Sequence, residues 1–203
     1  PTDESIRDHL SKDVYDRLAR YCETNQIPLI QLARFKPTII TAALMAKELS
    51  SLGVGAEGVD SYFYRQAQQN NKPVKGLEAA EYQAGMIGDL GEDDEDRLIT
   101  GALDEMGRVR EVYLQIVTAW RSGNLDQLDA LLNSRKRHEH PETYNQTIIA
   151  RNQQWLSTLN IYAATPDIEF ILVGAAHLAG DDGLLHQLSL KGFTLEQLKS
   201  DRF

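Results

Sequence analysis

Helical periodicity constrains this chain more than any other feature. Leu103, Met106, Val109, Tyr113, Ile116, Val117 and Trp120 recur at spacings of three and four, the pattern of a helix that turns one face to a core. Similar stretches flank it. Ser11 to about Glu23 reads as a helix with Val14, Leu18 and Tyr21 inward, and Pro37 opens an apolar helix that runs to about Leu52. Ser122 and Gly123 stop the long central helix. Asn124 then caps a shorter one bearing Leu125, Leu128, Leu131 and Leu132, and a further helix follows Pro141 to about Asn160.

Two segments depart from this pattern and read as buried strands. Pro73 to Leu77 is short and ends at Glu78; Ile168 to Val173 is a continuous apolar run ending at Gly174, the form of an interior parallel strand. The fold expected is therefore α/β: one helix-rich domain over residues 1–203, with a small, mostly parallel sheet and a helical insertion at about 84–160. In such sheets ligands bind beyond the carboxyl ends of the strands, where Glu78 and His177 both fall.

Composition narrows the function classes. With 42% apolar residues in 203, the chain can bury a sizeable core. It carries 21 basic against 30 acidic residues, a net charge of -9, which argues against nucleic-acid binding. No window approaches the roughly 18 to 20 uninterrupted apolar residues of a membrane span. Cys22 is alone, which excludes an intramolecular disulfide and any cysteine metal cluster. The first residue is Pro1 rather than Met, and the expectation is that upstream sequence has been removed.

The sharpest local motif is Gly174-Ala-Ala-His177-Leu-Ala-Gly180. Small residues around an imidazole permit a tight turn and the close approach of a ligand. The same stretch also fits a strand-to-helix turn whose histidine merely bonds a carbonyl. In the helix after Pro141, the apolar stripe of Ile148, Ile149, Trp155, Leu156 and Leu159 places Asn152 near its centre and Arg151 on its flank, at about 100° per residue. Both should be at least partly buried, and buried guanidinium and amide groups need polar partners, of which Glu78 is a candidate. That pairing fits either a functional site or an internal clamp holding helix to sheet.

Other signals carry less. Gly53, Gly55 and Gly58 spell a dinucleotide fingerprint, but they follow a helical stretch instead of a strand. His138-Glu139-His140 beside Arg135, Lys136 and Arg137 reads as an exposed interhelical loop, and the acidic run Glu92 to Asp96 as a solvated helix start. Asp60 reads as a helix cap. Neither His-Glu-x-x-His nor Gly-x-Ser-x-Gly occurs, which removes the zincin and serine-hydrolase mechanisms.

Taken in order, Gly58-Val59-Asp60, Lys72-Pro73-Val74 leading to Gly76-Leu77-Glu78 with Glu81 and Gln83, Trp120-Arg121-Ser122-Gly123, Arg151-Asn152 with Trp155, and Gly174 to Gly180 followed by Gly183 resemble the TraB/PrgY/GumN family. The TIKI proteins, metalloproteases that cleave Wnt, are its animal relatives. The resemblance runs from about Phe35 to Phe193. It implies a site of two Gly-x-x-His motifs, a glutamate and an Arg-Asn pair around a divalent metal. His177 takes the place of the second histidine, Glu78 of the glutamate, and Arg151 and Asn152 of the pair. Metal ligation would then fall to His177 and Glu78, catalysis to Glu78, Arg151 and Asn152, and substrate contacts to Asp60 and Gln83. No Gly-x-x-His lies upstream of Asp60, since residue 6, three before His9, is Ile. The strand that carries the first motif is therefore expected to be missing here.

The function expected from the resemblance is metal-dependent hydrolysis of a peptide or related amide. Mn²⁺ or Co²⁺ suits mixed nitrogen and oxygen ligands, with Zn²⁺ also admissible, and this chain alone is expected to bind little or no metal. The rival reading is a non-catalytic protein that sequesters a peptide signal. A periplasmic or secreted location is the accompanying expectation.

Overall fold

The computed structural model describes residues 4–55, 57–89 and 94–198, with the side chains of 87–89 outside the description. Among these residues the chain is helical. In order come α1 (Ile6–His9), α2 (Lys12–Thr24), α3 (Leu29–Leu32), α4 (Pro37–Ser51), α5 (Val59–Gln69), α6 (Ala80–Asp89), α7 (Glu95–Met106), α8 (Val109–Ser122), α9 (Leu125–Asp129), α10 (Arg135–Glu139), α11 (Pro141–Tyr144), α12 (Ala150–Tyr162) and α13 (Leu184–Leu190). A π-helical turn, Ala130–Ser134, joins α9 to α10, and a second, Asn145–Ile149, joins α11 to α12. A single 3-10 turn spans Ala175–His177.

The expected α/β architecture is overturned, because no strand and no sheet occur among the described residues. The segments at 73–77 and 168–173 are non-helical, as their composition demanded, but neither pairs with another segment. A run of apolar residues records a preference for extended backbone, whereas a ladder needs a neighbouring backbone to supply its hydrogen bonds. Ile168 and Phe170 are accordingly 99% and 70% exposed. Only the ends of the two runs are tucked in: Leu77 and Val173 both pack on the cluster of Trp155, Leu156, Leu159 and Leu184.

The predicted helices appear with local adjustments. Lys12–Thr24 buries Leu18 and Cys22, and Pro37 stands at the first turn of α4. The long central helix is broken at Gly107 into α7 and α8, and Trp120, expected inward, is 55% exposed while Ala119 is buried. Asn124 caps α9 by accepting from the Gln127 N–H at 3.0 Å, and Pro141 opens α11. Glu92 and Asp93 of the acidic run lie outside the described residues; Asp94 caps α7 by accepting from the Arg97 N–H at 2.9 Å. Gly53, in the loop after α4, has φ +81.

The chain divides into two compact units, Pro1–Gly58 with Glu81–Glu111, and Val59–Ala80 with Val112–Phe203. The first holds a single apolar cluster in which Leu18, Ile40, Leu44 and Ile99 are fully buried where α2 and α4 pack on α7. The second holds two smaller clusters, one around Trp155 and Leu184 and one around Ala119, Leu128 and Ala179. No helix among the described residues is long and apolar enough to cross a membrane.

Candidate functional site

The site lies wholly in the second unit. Arg151 and Trp155 stand one turn apart on α12, a spacing that superposes side chains on one helix face, and Asn152 sits beside them fully inside the protein, 1% exposed. The π turn at Asn145–Ile149 immediately precedes them. A π turn rotates the register of everything after it and recurs at functional sites.

Arg151 organises the cluster. Its Nε donates to Glu78 Oε2 at 3.1 Å and its Nη2 to Glu78 Oε1 at 2.7 Å, a two-pronged ion pair. Its Nη1 donates to the Thr147 carbonyl and to His177 Nε2, at 3.3 and 3.2 Å. The guanidinium also lies over the Trp155 ring, 4.8 Å from its centroid, while the Trp155 N–H donates to Glu78 Oε2 at 3.2 Å. The side chains of Arg151 and Glu78 are only 11% and 9% exposed. The pair is thus shielded from water.

Bond accounting fixes the imidazole. Asn152 Nδ2 donates to the carbonyls of His177 and Asp182 at 3.2 and 2.8 Å, so its Oδ1 is the atom facing His177 Nδ1 at 2.8 Å. An amide oxygen only accepts, hence Nδ1 carries the proton and Nε2 presents a lone pair to Arg151. Burial, with the Arg151 cation adding to it and Glu78 opposing, pushes the imidazole down to about 4. At neutral pH His177 is uncharged. Its ring also leans on Trp155, with centroids 4.5 Å apart.

Glycine makes the surrounding loop possible. Gly180 has φ +81, and a Cβ there would fall 2.4 Å from Asp129 Oδ1; one on Gly183 would fall 2.4 Å from the Leu178 carbonyl. Both positions depend on glycine's lack of a side chain.

Of the six residues singled out from the sequence, the structure brings four together: Glu78, Arg151, Asn152 and His177. The other two make no hydrogen bond to these four among the described residues. Asp60 is exposed in the first turn of α5, and Gln83 is exposed on α6 in the first unit. His138 bonds the Ser134 carbonyl on an exposed helix, and Arg135 pairs with Glu139. The sequence places Trp155 in the apolar stripe and beside the Arg-Asn pair without marking its bond to Glu78, and it does not mark Asn133 or Asp182. The four-residue spacing of Arg151 and Trp155 was a usable signal for the first; nothing local marked the others.

Tested against a divalent cation, the described residues do not suffice. His177 has a ligand's tautomer, with its other nitrogen held by Asn152 in the manner that orients metal-bound histidines. Yet its Nε2 lone pair and both Glu78 oxygens already accept from protein donors, and a guanidinium stands where a second cation would be repelled. Among the described residues no group of three His, Cys, Asp or Glu could complete a coordination shell, against the three or four ligands such ions usually take.

The TraB/PrgY/gumN family model matches residues 1–197. Among curated proteins, the uncharacterized protein YbaP of Escherichia coli (strain K12) is 26% identical over 194 residues, which span 93% of this chain and 69% of that protein. YbaP of Shigella flexneri gives the same figures. No solved structure matches the chain.

Proposed function

The chain belongs to the TraB/PrgY/gumN family, and on that premise we propose that it contributes the Glu78–Arg151–Asn152–His177 cluster to a hydrolase acting on a peptide or related amide. The observation that supports this is the shielded Arg151–Glu78 ion pair bonded to a neutral histidine of fixed tautomer. Groups so disposed match the needs of amide hydrolysis: an acceptor for a water proton, donors for a developing oxyanion, and a neutral ring beside both.

The steps assigned to this chain's own side chains are few. An incoming amide carbonyl accepts from Arg151 in place of a Glu78 oxygen, and the freed Glu78 oxygen accepts a proton from water as that water's oxygen bonds to the carbonyl carbon. Negative charge gathers on the former carbonyl oxygen, against the guanidinium. Glu78 then returns the proton to the leaving amine as the C–N bond breaks. Asn152 keeps His177 Nδ1 protonated throughout, so that Nε2 remains an acceptor. A divalent ion, the family expectation, would supply further carbonyl polarisation, but the described residues do not hold one and no step depends on it.

One observation favours a second reading. Both oxygens of Glu78 and both ring nitrogens of His177 are engaged internally, as in a scaffold that binds a peptide signal without cleaving it. Cleavage of a fluorogenic peptide library by the parent chain, with and without added Mn²⁺, separates the two. Turnover that His177→Ala abolishes supports the hydrolase; saturable peptide binding without turnover hands the site to the second reading. Calorimetry on the 203-residue chain should show weak Mn²⁺ or Co²⁺ binding or none. Tight one-to-one binding would mean that this chain supplies a full coordination shell by itself.

A further inference from the structure

The loop that carries His177 is gripped from a second side, by residues that take no part in the Arg151 cluster. Asn133, fully buried in the π turn Ala130–Ser134, has both hydrogens of its amide committed: Nδ2 donates to Asp129 Oδ1 at 3.0 Å and to the Ala176 carbonyl at 2.9 Å. That carbonyl and the His177 N–H belong to one peptide plane, and the His177 N–H donates to the Gly174 carbonyl at 2.9 Å. A peptide plane is rigid. Holding it by both its oxygen and its N–H fixes the position of the His177 Cα and the direction from which the imidazole leaves the backbone.

The anchor behind Asn133 is itself braced. Arg137 donates to both oxygens of Asp129, at 2.8 and 3.2 Å, and to the Tyr144 hydroxyl at 3.1 Å. The Tyr144 hydroxyl donates to Asp182 Oδ2 at 3.3 Å, and the Asp182 carbonyl accepts from Asn152, which closes the circuit back to His177. The π turn makes this possible. In a continuous α-helix residues i and i+7 face each other after two turns; one residue inserted by the π turn brings i and i+8, Asp129 and Arg137, into register instead.

We propose that Asn133 is a positioning residue for His177: by fixing the 176–177 peptide plane it delivers the imidazole into the Arg151 and Asn152 network in one orientation and one tautomer. This rests on the reading of His177 as a functional group, but its test reads geometry and needs no turnover. A chain that cleaves nothing can pass it, and a chain that hydrolyses peptides can fail it.

The test is nitrogen NMR of the His177 ring, with amide hydrogen exchange, on the 203-residue chain and three variants. Asn133→Ala removes the donor; Asn133→Leu removes it while retaining volume; Asn124→Ala removes the cap of α9, whose side chain accepts from the Gln127 N–H, and so destabilises the same helical stretch from its other end. In the parent the two ring nitrogens should be well separated, one protonated and one not. In both Asn133 variants they should move toward each other as tautomers mix, and exchange of the His177 amide should accelerate on the order of tenfold relative to Asn124→Ala. Asn124→Ala should lower the melting temperature and leave the ring signals in place. Unchanged ring signals and exchange in the Asn133 variants, whatever their melting temperatures, would overturn the proposal. So would failure of both Asn133 variants to fold while Asn124→Ala folds, since that would assign Asn133 to the fold and not to the histidine.

Discussion

The two units bury different chemistry. The first unit closes over one continuous apolar cluster, and its ion pairs, such as Arg17 with Asp104 and Lys12 with Asp16, stay at the surface. The second divides its apolar residues into two smaller clusters and carries two polar networks, a shielded one of Glu78, Arg151 and His177 and a half-buried one of Asp129, Arg137 and Tyr144. Apolar burial is non-directional and tolerant of small shifts, whereas a polar network depends on where each donor and acceptor is placed. The first unit is thus built for stability and the second for placement of particular atoms.

Arg151→Ala should break that contrast most severely. It strips Glu78 and His177 of their shared donor inside the protein, and breaking a buried pair costs about 3–5 kcal/mol. Chemical denaturation of parent and variant checks the figure, and a loss below about 1 kcal/mol would place the pair with ordinary surface bridges.

The next effect is a pH dependence confined to the second unit. His177 titrates lower in the folded chain, about 4, than its ordinary 6.5, so between those values the unfolded chain binds more protons and stability falls with falling pH. The histidine's contribution is whole above 6.5 and spent once pH drops below about 4. Melting temperatures of parent and His177→Gln across this window should converge toward the acid end. Parallel curves would show that His177 is not the group responsible.

The smallest effect is expected in the first unit, where Asp104→Ala removes a solvent-exposed partner of Arg17 and should cost at most about 1 kcal/mol. A larger loss there would mean that surface pairs hold the first unit together after all.

What could be read from the sequence follows the same division. Apolar periodicity located the helices around Leu18, Leu44 and Leu128, and side-chain chemistry located caps such as Asn124. The same stripe placed Asn152 inside and Arg151 at its edge, and the cost of burying a guanidinium named Glu78 as a partner. The failures arise where distant backbone decides. Ile168 to Val173 has the composition of a strand, but pairing is a property of two segments and one of them cannot report it. Gly107 interrupts a periodicity that continues on both sides, so α7 and α8 read as one helix with Trp120 inward. Asn133 escaped because a π turn shifts helical register without altering composition. Asp182 escaped because the atom Asn152 bonds there is a backbone carbonyl.

Glu78→Gln tests most directly whether the cluster is a reactive site or a clamp. Glutamine keeps the shape and one acceptor for Arg151 but cannot take a proton from water. Peptide cleavage and melting temperature are measured side by side in parent and variant. Either role predicts a lower melting temperature, because the variant leaves the Arg151 cation without its counter-charge, so cleavage decides: a functional site predicts that activity present in the parent disappears in the variant. No cleavage by the parent, or equal cleavage by parent and variant, would contradict the hydrolase and leave Glu78 as the counter-ion that holds Arg151 in place.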